Sequence, residues 1–531
     1  MAAHRETPVG DTQDPRAVPG AWLVALRLIR WAREHWLLPI MLLAAVVRFY
    51  DLTAAAIWFD EGSSVLLSQF SLTEIWGRAA HDVHPPLYFL LLHGWIGLFG
   101  DGILSIRMMS ALPGIITVGL GVWLVDLLAT RRAALLAGLL LALLPTAVRY
   151  SQEVRMYSLL GMWLIAATIA LVYWVRQPRR HRYLVAYALL MTAAFYTHYF
   201  TVLCVISHWL YLAAVRVQPG YRLRHIQRPA WWLANLVIAL LYLPWVPNLL
   251  DLLQHIPELK ASNDIGWEDP VTLSSLPSMV WSLLIQDDGM TLPGWLFLLL
   301  PSALVAVIGV ALLRDRSVFR GSLLLLLYSV LPILLVFGVS FISPVFIERY
   351  VTAYALGLPM LVALAVDRLY TGSRVLALAI LVLFVGVELV GVKNNATVDS
   401  NDQFSVVVDY VNRHFVEGDR IVTSDMMWYL SYIYYNRTDA QVRLYTPPAA
   451  DGRSTRPNAY GFGTLVSEDV YLDQLGDLSK VGARVWLIGT LDEPTDFAAL
   501  PEGWQRQSDV HAGGAFARLY VMAPSADKPG G

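Results

Sequence analysis

The sequence predicts a polytopic α-helical membrane protein of about 11 spans plus interfacial helices, with a small C-terminal extracytoplasmic α/β domain. Three observations lead to this prediction: long apolar runs recur along the 531 residues, only 15% of the residues are charged, and arginines are distributed unevenly between the predicted loops. Soluble globular proteins carry about 25% charged residues. So little charge, with a mean hydropathy of +0.52, is typical of a membrane protein.

Long apolar runs set the number of spans, because each approaches the roughly 20 residues that a helix needs to cross the bilayer. The runs are 36–56, 107–130, 133–149, 157–175, 183–199, 200–215, 230–250, 293–313, 321–342, 351–369 and 375–392. A further run, Pro85–Gly100, is short, opens with His84-Pro85-Pro86 and closes with Gly100-Asp101-Gly102. We interpret it as a helix that lies in the outer interface.

Basic residues set the orientation. With the N-terminus in the cytoplasm and Pro85–Gly100 outside, the cytoplasmic loops contain Arg131, Arg132, Arg176, Arg179, Arg180, Arg182, Arg216, Arg222, Arg224, Arg228, Arg314, Arg316, Arg320, Arg368 and Arg374. The outside loops before the C-terminal region contain only Arg78, Arg107, Arg149, Arg155, Lys260 and Arg349. The positive-inside rule predicts this bias. If Pro85–Gly100 crossed the membrane, every later loop would change sides and the bias would be reversed.

These patterns divide the chain into three parts: a cytoplasmic tail over 1–35, a transmembrane domain over 36–392, and an extracytoplasmic domain over 393–531. The tail leads into the first span without a cleavage site, as in a signal anchor of a plasma (inner) membrane protein. In the last part, Val406–His414 has the pattern of an amphipathic helix, and short strands are predicted at Asp419–Asp425, Ala483–Gly489 and Ala517–Met522. The net charge of −2 gives no reason to expect a nucleic-acid partner.

Polar residues of the kinds used in catalysis collect on the predicted outer side. They are Asp60, Glu61, His84, Gln152, Glu153, Arg155, Tyr157, His198, Arg349 and Tyr350. The spans carry almost no charge at mid-depth, whereas transporters and pumps usually place ionisable residues or broken helices there. A polar site at one membrane face suits an enzyme that acts on a lipid head group.

The chemistry of a lipid-borne sugar phosphate fits these side chains. A hydroxyl acceptor must lose a proton as it attacks the sugar, and a carboxylate can accept it. The departing phosphate needs arginine, lysine or a metal to stabilise its charge. A retaining enzyme would need a second carboxylate as nucleophile. Since Asp60 and Glu61 are adjacent, we expect their side chains to diverge, which favours a single displacement with inversion.

Five motifs carry a resemblance to a known family. They are Trp58-Phe59-Asp60-Glu61, His81-Asp82-Val83-His84-Pro85-Pro86-Leu87-Tyr88, Tyr150-Ser151-Gln152-Glu153-Val154-Arg155-Met156-Tyr157, Thr197-His198-Tyr199 and Glu348-Arg349-Tyr350. In this order they resemble bacterial members of the protein O-mannosyltransferase-like family. That family belongs to the GT-C superfamily, which also includes the aminoarabinose transferases of lipid A. The resemblance covers about 36–392.

The resemblance implies a multi-span catalytic domain with interfacial helices in the first outside loop. It implies a polyprenyl-phosphate-linked sugar donor, such as a mannosyl donor, an acceptor hydroxyl on a lipid, glycan or protein, and inversion. Asp60 would be the base or would position the acceptor, with Glu61 as second choice. The donor phosphate would meet Arg155 and Arg349, with Tyr157 and Tyr350 beside them. The remaining candidates for substrate binding are His84, His198, Gln152 and Glu153.

Two questions stay open at this stage. Asp60, Glu61 and His84 are also candidate ligands of a divalent metal, and metal dependence varies across the superfamily. The alternative function is a non-catalytic transporter or scaffold that binds a lipid-linked sugar.

Overall fold

The computed structural model describes residues 36–215, 224–261, 270–396, 403–449, 451–457, 460–478, 482–491, 497 and 500–522. The predicted cytoplasmic tail, 1–35, lies outside the described residues. The helices up to residue 396 are, in order, α1 (Leu38–Phe49), α2 (Phe59–Ser68), α3 (Leu72–Ala79), α4 (Leu87–Phe99), α5 (Ile103–Leu128), α6 (Arg131–Leu143), α7 (Pro145–Arg149), α8 (Tyr157–Arg176), α9 (Arg182–Phe195), α10 (Thr201–Ala214), α11 (Pro229–Tyr242), α12 (Val246–Ala261), α13 (Ser275–Ile285), α14 (Gly294–Leu313), α15 (Gly321–Ser340), α16 (Glu348–Ala355), α17 (Gly357–Tyr370) and α18 (Arg374–Ala396).

Every apolar run predicted as a span contains helix. Seven segments of the described chain are long and apolar enough to cross a membrane: Ile103–Leu128, Tyr157–Arg176, Pro229–Leu259, Gly294–Leu313, Gly321–Ser340, Glu348–Tyr370 and Arg374–Ala396. The helices in the other four runs are shorter. In one of them α6 ends before Pro145, whose missing N–H prevents a continuous helix and which instead begins α7. The chain is a multi-pass membrane protein.

The run that we predicted to lie in the interface forms α4. Its 13 residues reach only about 20 Å, less than the roughly 30 Å of the hydrocarbon core. Pro86 precedes it, and Gly100, where φ is 80°, follows its last residue. The helix packs against α2, α3 and α5. Helices α1 and α6, which lie in two of the predicted spans, are equally short, so length alone does not separate α4 from them, and its depth in the membrane stays a prediction.

Two of the seven long segments, α8 and the α16–α17 pair, form the most deeply buried part of the bundle. Helix α8 packs against α5, α9 and α16. The close approach of α17 to α15 depends on small residues, because a Cβ on Gly357 of α17 would lie 2.6 Å from the Cβ of Ser329 in α15. Because α8 and α16 begin at the same end of the bundle, their first residues lie close together.

The C-terminal region forms a small α/β domain. It comprises α19 (Phe404–His414), β1 (Arg420–Thr423), α20 (Met426–Tyr435), β2 (Val442–Tyr445), β3 (Tyr471–Leu472), β4 (Arg484–Thr490), β5 (Trp504–Ala512) and β6 (Ala515–Met522). The strand order is β3-β2-β1-β4-β6-β5. The contacts of β1 with β2 and β4, and of β2 with β3, are parallel, whereas β6 pairs antiparallel with β4 and β5.

The predicted helix and the three predicted strands, which are α19, β1, β4 and β6, are confirmed. Helix α20 and strands β2, β3 and β5 were not predicted. Strand β5 lies at the edge of the sheet, is rich in polar residues and has a register shift between Arg506 and Ser508. An edge strand with one solvated face lacks the apolar run that identifies a buried strand.

This domain packs on the same end of the bundle as the start of α2. The Tyr435 hydroxyl accepts a hydrogen bond from the backbone N–H of Ile57 at 2.8 Å. A Cβ on Gly62 would lie 2.9 Å from the carbonyl oxygen of Leu430, so α2 and α20 are in close contact. Apolar side chains from both parts form one continuous core. The domain therefore lies beside the loops that carry the predicted site.

Candidate functional site

Asp60 lies in the first turn of α2, where the helix dipole favours an acidic side chain. Its Oδ2 accepts a hydrogen bond from Nη1 of Arg349 at 2.7 Å, and Nε of Arg155 lies 3.9 Å from the same oxygen. The three side chains are at most 17% exposed. The fold thus brings together residues that are 95 and 289 positions apart in the chain. The centre of the site is one carboxylate between two arginines.

Arg155 is held by several further contacts. Its Nη1 donates to the carbonyl oxygen of Asp60 and to Oγ of Ser64, both at 3.2 Å. Its Nη2 lies 3.4 Å from Nε2 of His84. Because these partners come from α2 and from the loop before α4, the guanidinium links the two segments. A buried charge needs such a set of partners.

His84 is a neutral imidazole in one defined tautomer. Its Nε2 faces an arginine N–H and must accept, so its Nδ1 carries the proton and donates to Oδ1 of Asp82 at 3.2 Å. Burial lowers the pKa of His84, although its bond to Asp82 opposes this. Since it accepts from Arg155, His84 orients that guanidinium without adding charge.

Aromatic rings form one wall of the site. The ring of His198 lies 5.7 Å from that of His84, 6.1 Å from Tyr157 and 5.6 Å from Tyr350. Nδ1 of His198 accepts from the backbone N–H of Phe200 at 3.2 Å, so its Nε2 carries the proton. Within the described chain, that buried Nε2 has no hydrogen-bond partner. The wall therefore offers one unused donor.

Glu61 points away from Asp60, as we expected, and is completely buried. Its two oxygens accept hydrogen bonds from Nε and Nη2 of Arg107 at 2.9 and 2.7 Å. Oε1 also accepts from the backbone N–H of Val154 at 2.9 Å. Arg107 in turn donates to three carbonyl oxygens in the segment 52–56. Glu61 thus fastens the loop before α2 to the start of α5 and to the loop before α8.

Arg107 was not among the predicted site residues. The one signal in the sequence is an arginine inside an otherwise apolar run, because a buried arginine needs an acidic partner. The partner lies 46 positions away, so the pairing itself is a property of the fold.

The side chains of Gln152 and Glu153 are held by residues other than Asp60, Arg155 and Arg349. The amide of Gln152 donates to the carbonyl oxygens of Arg48 and Tyr50 at 3.2 and 2.9 Å, so it holds the end of α1. Glu153 contacts Arg149, with 3.4 Å between Oε1 and Nε. Burial raises the pKa of Glu153 to about 7, and the charge of Arg149 opposes the rise.

The three residues considered as metal ligands have separate partners: Asp60 contacts two arginines, Glu61 contacts Arg107, and His84 contacts Asp82. Among the residues that the structure describes, no group of three or more His, Cys, Asp or Glu side chains is arranged to hold a metal ion.

Comparisons with known proteins give one match in sequence. The family model described as "Dolichyl-phosphate-mannose-protein mannosyltransferase" matches residues 83–247. No protein in a search of curated proteins matches the chain.

Solved structures match almost the whole chain. ArnT from Cupriavidus metallidurans in the apo state has a TM-score of 0.63 and 14% identity, over 93% of this chain and 99% of ArnT. The same protein bound to undecaprenyl phosphate has a TM-score of 0.61 and 13% identity, over 92% and 99%. The oligosaccharyltransferase AglB from Archaeoglobus fulgidus, in complex with an inhibitory peptide and a dolichol-phosphate, has a TM-score of 0.51 and 13% identity, over 94% and 75%. At these identities the matches concern the fold.

Proposed function

Since the chain has the fold of the GT-C glycosyltransferases, we propose that it transfers a sugar from a polyprenyl-phosphate carrier to an acceptor hydroxyl. The observation that carries the proposal is the Asp60 carboxylate between Arg349 and Arg155 at the end of the helix bundle. The structural match to a protein with bound undecaprenyl phosphate, and another with dolichol-phosphate, supports the carrier class.

The two arginines are suited to the donor phosphate. Both guanidinium groups face Asp60, whereas the next carboxylate, Asp82, is bonded to His84. Guanidinium groups match phosphate oxygens with paired, charge-assisted hydrogen bonds. The unused N–H of His198 is a further donor for a phosphate or sugar oxygen. Tyr157 and Tyr350 would shield the charges from water.

Asp60 is the proposed base. In the absence of donor its Oδ2 accepts a hydrogen bond from Arg349 at 2.7 Å, so this oxygen is not available to an acceptor hydroxyl. A donor phosphate competes for the same guanidinium, and the carboxylate is then released toward the acceptor hydroxyl. The base would thus become active only when the leaving group is in place. As the hydroxyl oxygen bonds to the anomeric carbon, its proton goes to Asp60 and the phosphate leaves with the bonding electrons.

Inversion follows from the partners of the two adjacent carboxylates. A retaining enzyme needs a second carboxylate as nucleophile, about 5–5.5 Å from the first. Glu61 is held by Arg107 and by the backbone of Val154, so it cannot take this role without breaking its ion pair. We therefore assign Asp60 to the reaction and Glu61 to the support of the site.

Mannose is the first sugar to test, because the matching family model is described by mannosyl transfer. We propose a plasma (inner) membrane protein with tail 1–35 in the cytoplasm and a catalytic domain over 36–392. The domain over 393–531 lies outside and steers the acceptor. Its Gly461 donates to the carbonyl oxygen of His81 at 2.7 Å, next to the loop of His84, which supports that role.

The testing experiment uses the purified full chain in liposomes, with polyprenyl-phosphate mannose and a panel of other polyprenyl-phosphate sugars. Mass spectrometry measures release of polyprenyl phosphate with and without an extract of cell-envelope acceptors. We expect release that depends on the acceptor. Movement of the lipid-linked sugar across the membrane, without release from any donor, would instead identify the transporter or scaffold.

A further inference from the structure

The end of the bundle opposite Asp60 contains an open cavity of about 370 Å³. It lies where α5 ends and α6 begins, and where α14 and α17 end. The 20 residues of α8 separate it from the site by about 30 Å. The residues of its lining that matter here are Arg132, Arg314, Arg316, Arg368, Asp367 and Leu313. Arginine is thus the dominant charged residue of this cavity.

Two of the arginines are neutralised by ion pairs. Nε of Arg132 lies 2.5 Å from Oδ1 of Asp367, and Nη2 of Arg368 lies 3.3 Å from Oδ2 of Asp315. Asp315 is the residue between the other two arginines of the lining.

Those other arginines, Arg314 and Arg316, have no acidic partner among the described residues. Nη1 of Arg314 donates to the carbonyl oxygen of Arg368 at 3.3 Å, which holds its guanidinium over the cavity. Both side chains are exposed. The cavity therefore carries two uncompensated positive charges in a roomy, accessible position.

An apolar residue lies directly beside these charges. Leu313, also part of the lining, is 84% exposed and ends the membrane-spanning helix α14. An inorganic phosphate ion would use the arginines and leave this side chain in water. An amphiphile with a phosphate head and an acyl tail would use both. The positive-inside prediction also puts this end at the cytoplasmic leaflet, where anionic lipids attract basic residues.

We propose that this cavity is a binding site for the head group of an anionic phospholipid. The lipid phosphate accepts charge-assisted hydrogen bonds from Arg314 and Arg316, and an acyl chain lies along Leu313 and the outer face of α14. The site is separate from the proposed donor site and takes a structural lipid of the surrounding leaflet.

Native mass spectrometry of the detergent-solubilised full chain, titrated with phosphatidylglycerol, tests the proposal. The double variant R314Q/R316Q should bind phosphatidylglycerol about thirty-fold more weakly, because each basic residue near a lipid surface contributes about a factor of five. The matched control R180Q/R182Q removes two exposed arginines from the same end, outside the cavity, and should bind like the wild type. Unchanged thermal unfolding of both variants checks that they fold.

Three results would overturn the proposal. Equal weakening in R314Q/R316Q and R180Q/R182Q would mean a general electrostatic attraction. Equal binding of phosphatidylcholine and phosphatidylglycerol would mean that the arginines do not select the head group. Displacement of phosphatidylglycerol by millimolar inorganic phosphate would identify a site for the free ion.

Discussion

Glu61→Gln should destabilise the fold, since Glu61 supports the site from a buried position. Glu61 is fully buried and neutralises Arg107, which is only 3% exposed. Breaking a buried ion pair by removing one partner costs about 3–5 kcal/mol, because an uncompensated charge remains inside. Arg107 keeps its bonds to the three carbonyl oxygens of 52–56, and glutamine can still accept from Val154. We therefore expect the lower end, a loss of about 3 kcal/mol in the free energy of unfolding.

Unfolding of purified protein in detergent measures this loss, and a double-mutant cycle with Arg107→Gln isolates the pair. Each single change leaves one charge unmatched, whereas the double variant removes both. The double variant should thus lose less stability than the sum of the two single variants. Wild-type stability in Glu61→Gln, together with a loss of sugar transfer, would refute this reasoning and move Glu61 into the reaction.

Three further predictions test the donor site, the titration of a buried carboxyl and the contact between the domains. Arg349→Lys should bind donor about ten- to a hundred-fold more weakly in a direct binding assay, because an ammonium cannot replace the paired bonds of a guanidinium; unchanged affinity would contradict its role. Burial raises the folded pKa of Glu153 to about 7, above its unfolded value of about 4.3. The proton bound to Glu153 therefore stabilises the fold fully below pH ~4.3, and this contribution is lost as the pH rises through about 7. Glu153→Gln should therefore make the melting temperature less dependent on pH and should give a higher melting temperature than the wild type at pH 8. An unchanged pH profile would argue against this titration. Gly62→Ala should increase proteolysis of the C-terminal domain, since its Cβ would meet the backbone oxygen of Leu430 at 2.9 Å. The control Gly77→Ala, whose Cβ would have nothing within 4 Å, should not increase it. Equal cleavage of the two variants would contradict the contact.

Much of the fold was predictable, because a long apolar run in a bilayer has few alternatives to a helix. The interfacial position of α4, which depends on its shortness and on the distribution of arginines between the loops, stays a prediction. Strand β5 was not predictable, since its polar edge position gives no apolar pattern, and β3 has only two residues. Local apolar patterns identify elements that have a buried face. They miss short or polar strands that form only by pairing with a neighbouring strand.

Candidate residues of the site were recognisable as residue types, but their pairing was not. Arg349 approaches Asp60 across 289 positions, and nothing local to either residue indicates that distance. Asp60 and Glu61 look equivalent in the sequence. The helix separates them: one side chain faces Arg349, and its neighbour is turned toward Arg107. The difference between a proposed base and a structural acid is therefore a difference of partner.

The most direct test of the account is Asp60→Asn, with donor binding and sugar transfer measured on the same purified protein. Asparagine keeps the size and an acceptor oxygen but cannot take the proton, so transfer should fall about 10²–10⁴-fold. Donor affinity should be retained, because both guanidinium groups that face the phosphate are unchanged. Asp101→Asn, an acidic residue in the loop after α4 that our mechanism does not use, is the control and should transfer normally. Near-normal transfer by Asp60→Asn would contradict the central claim.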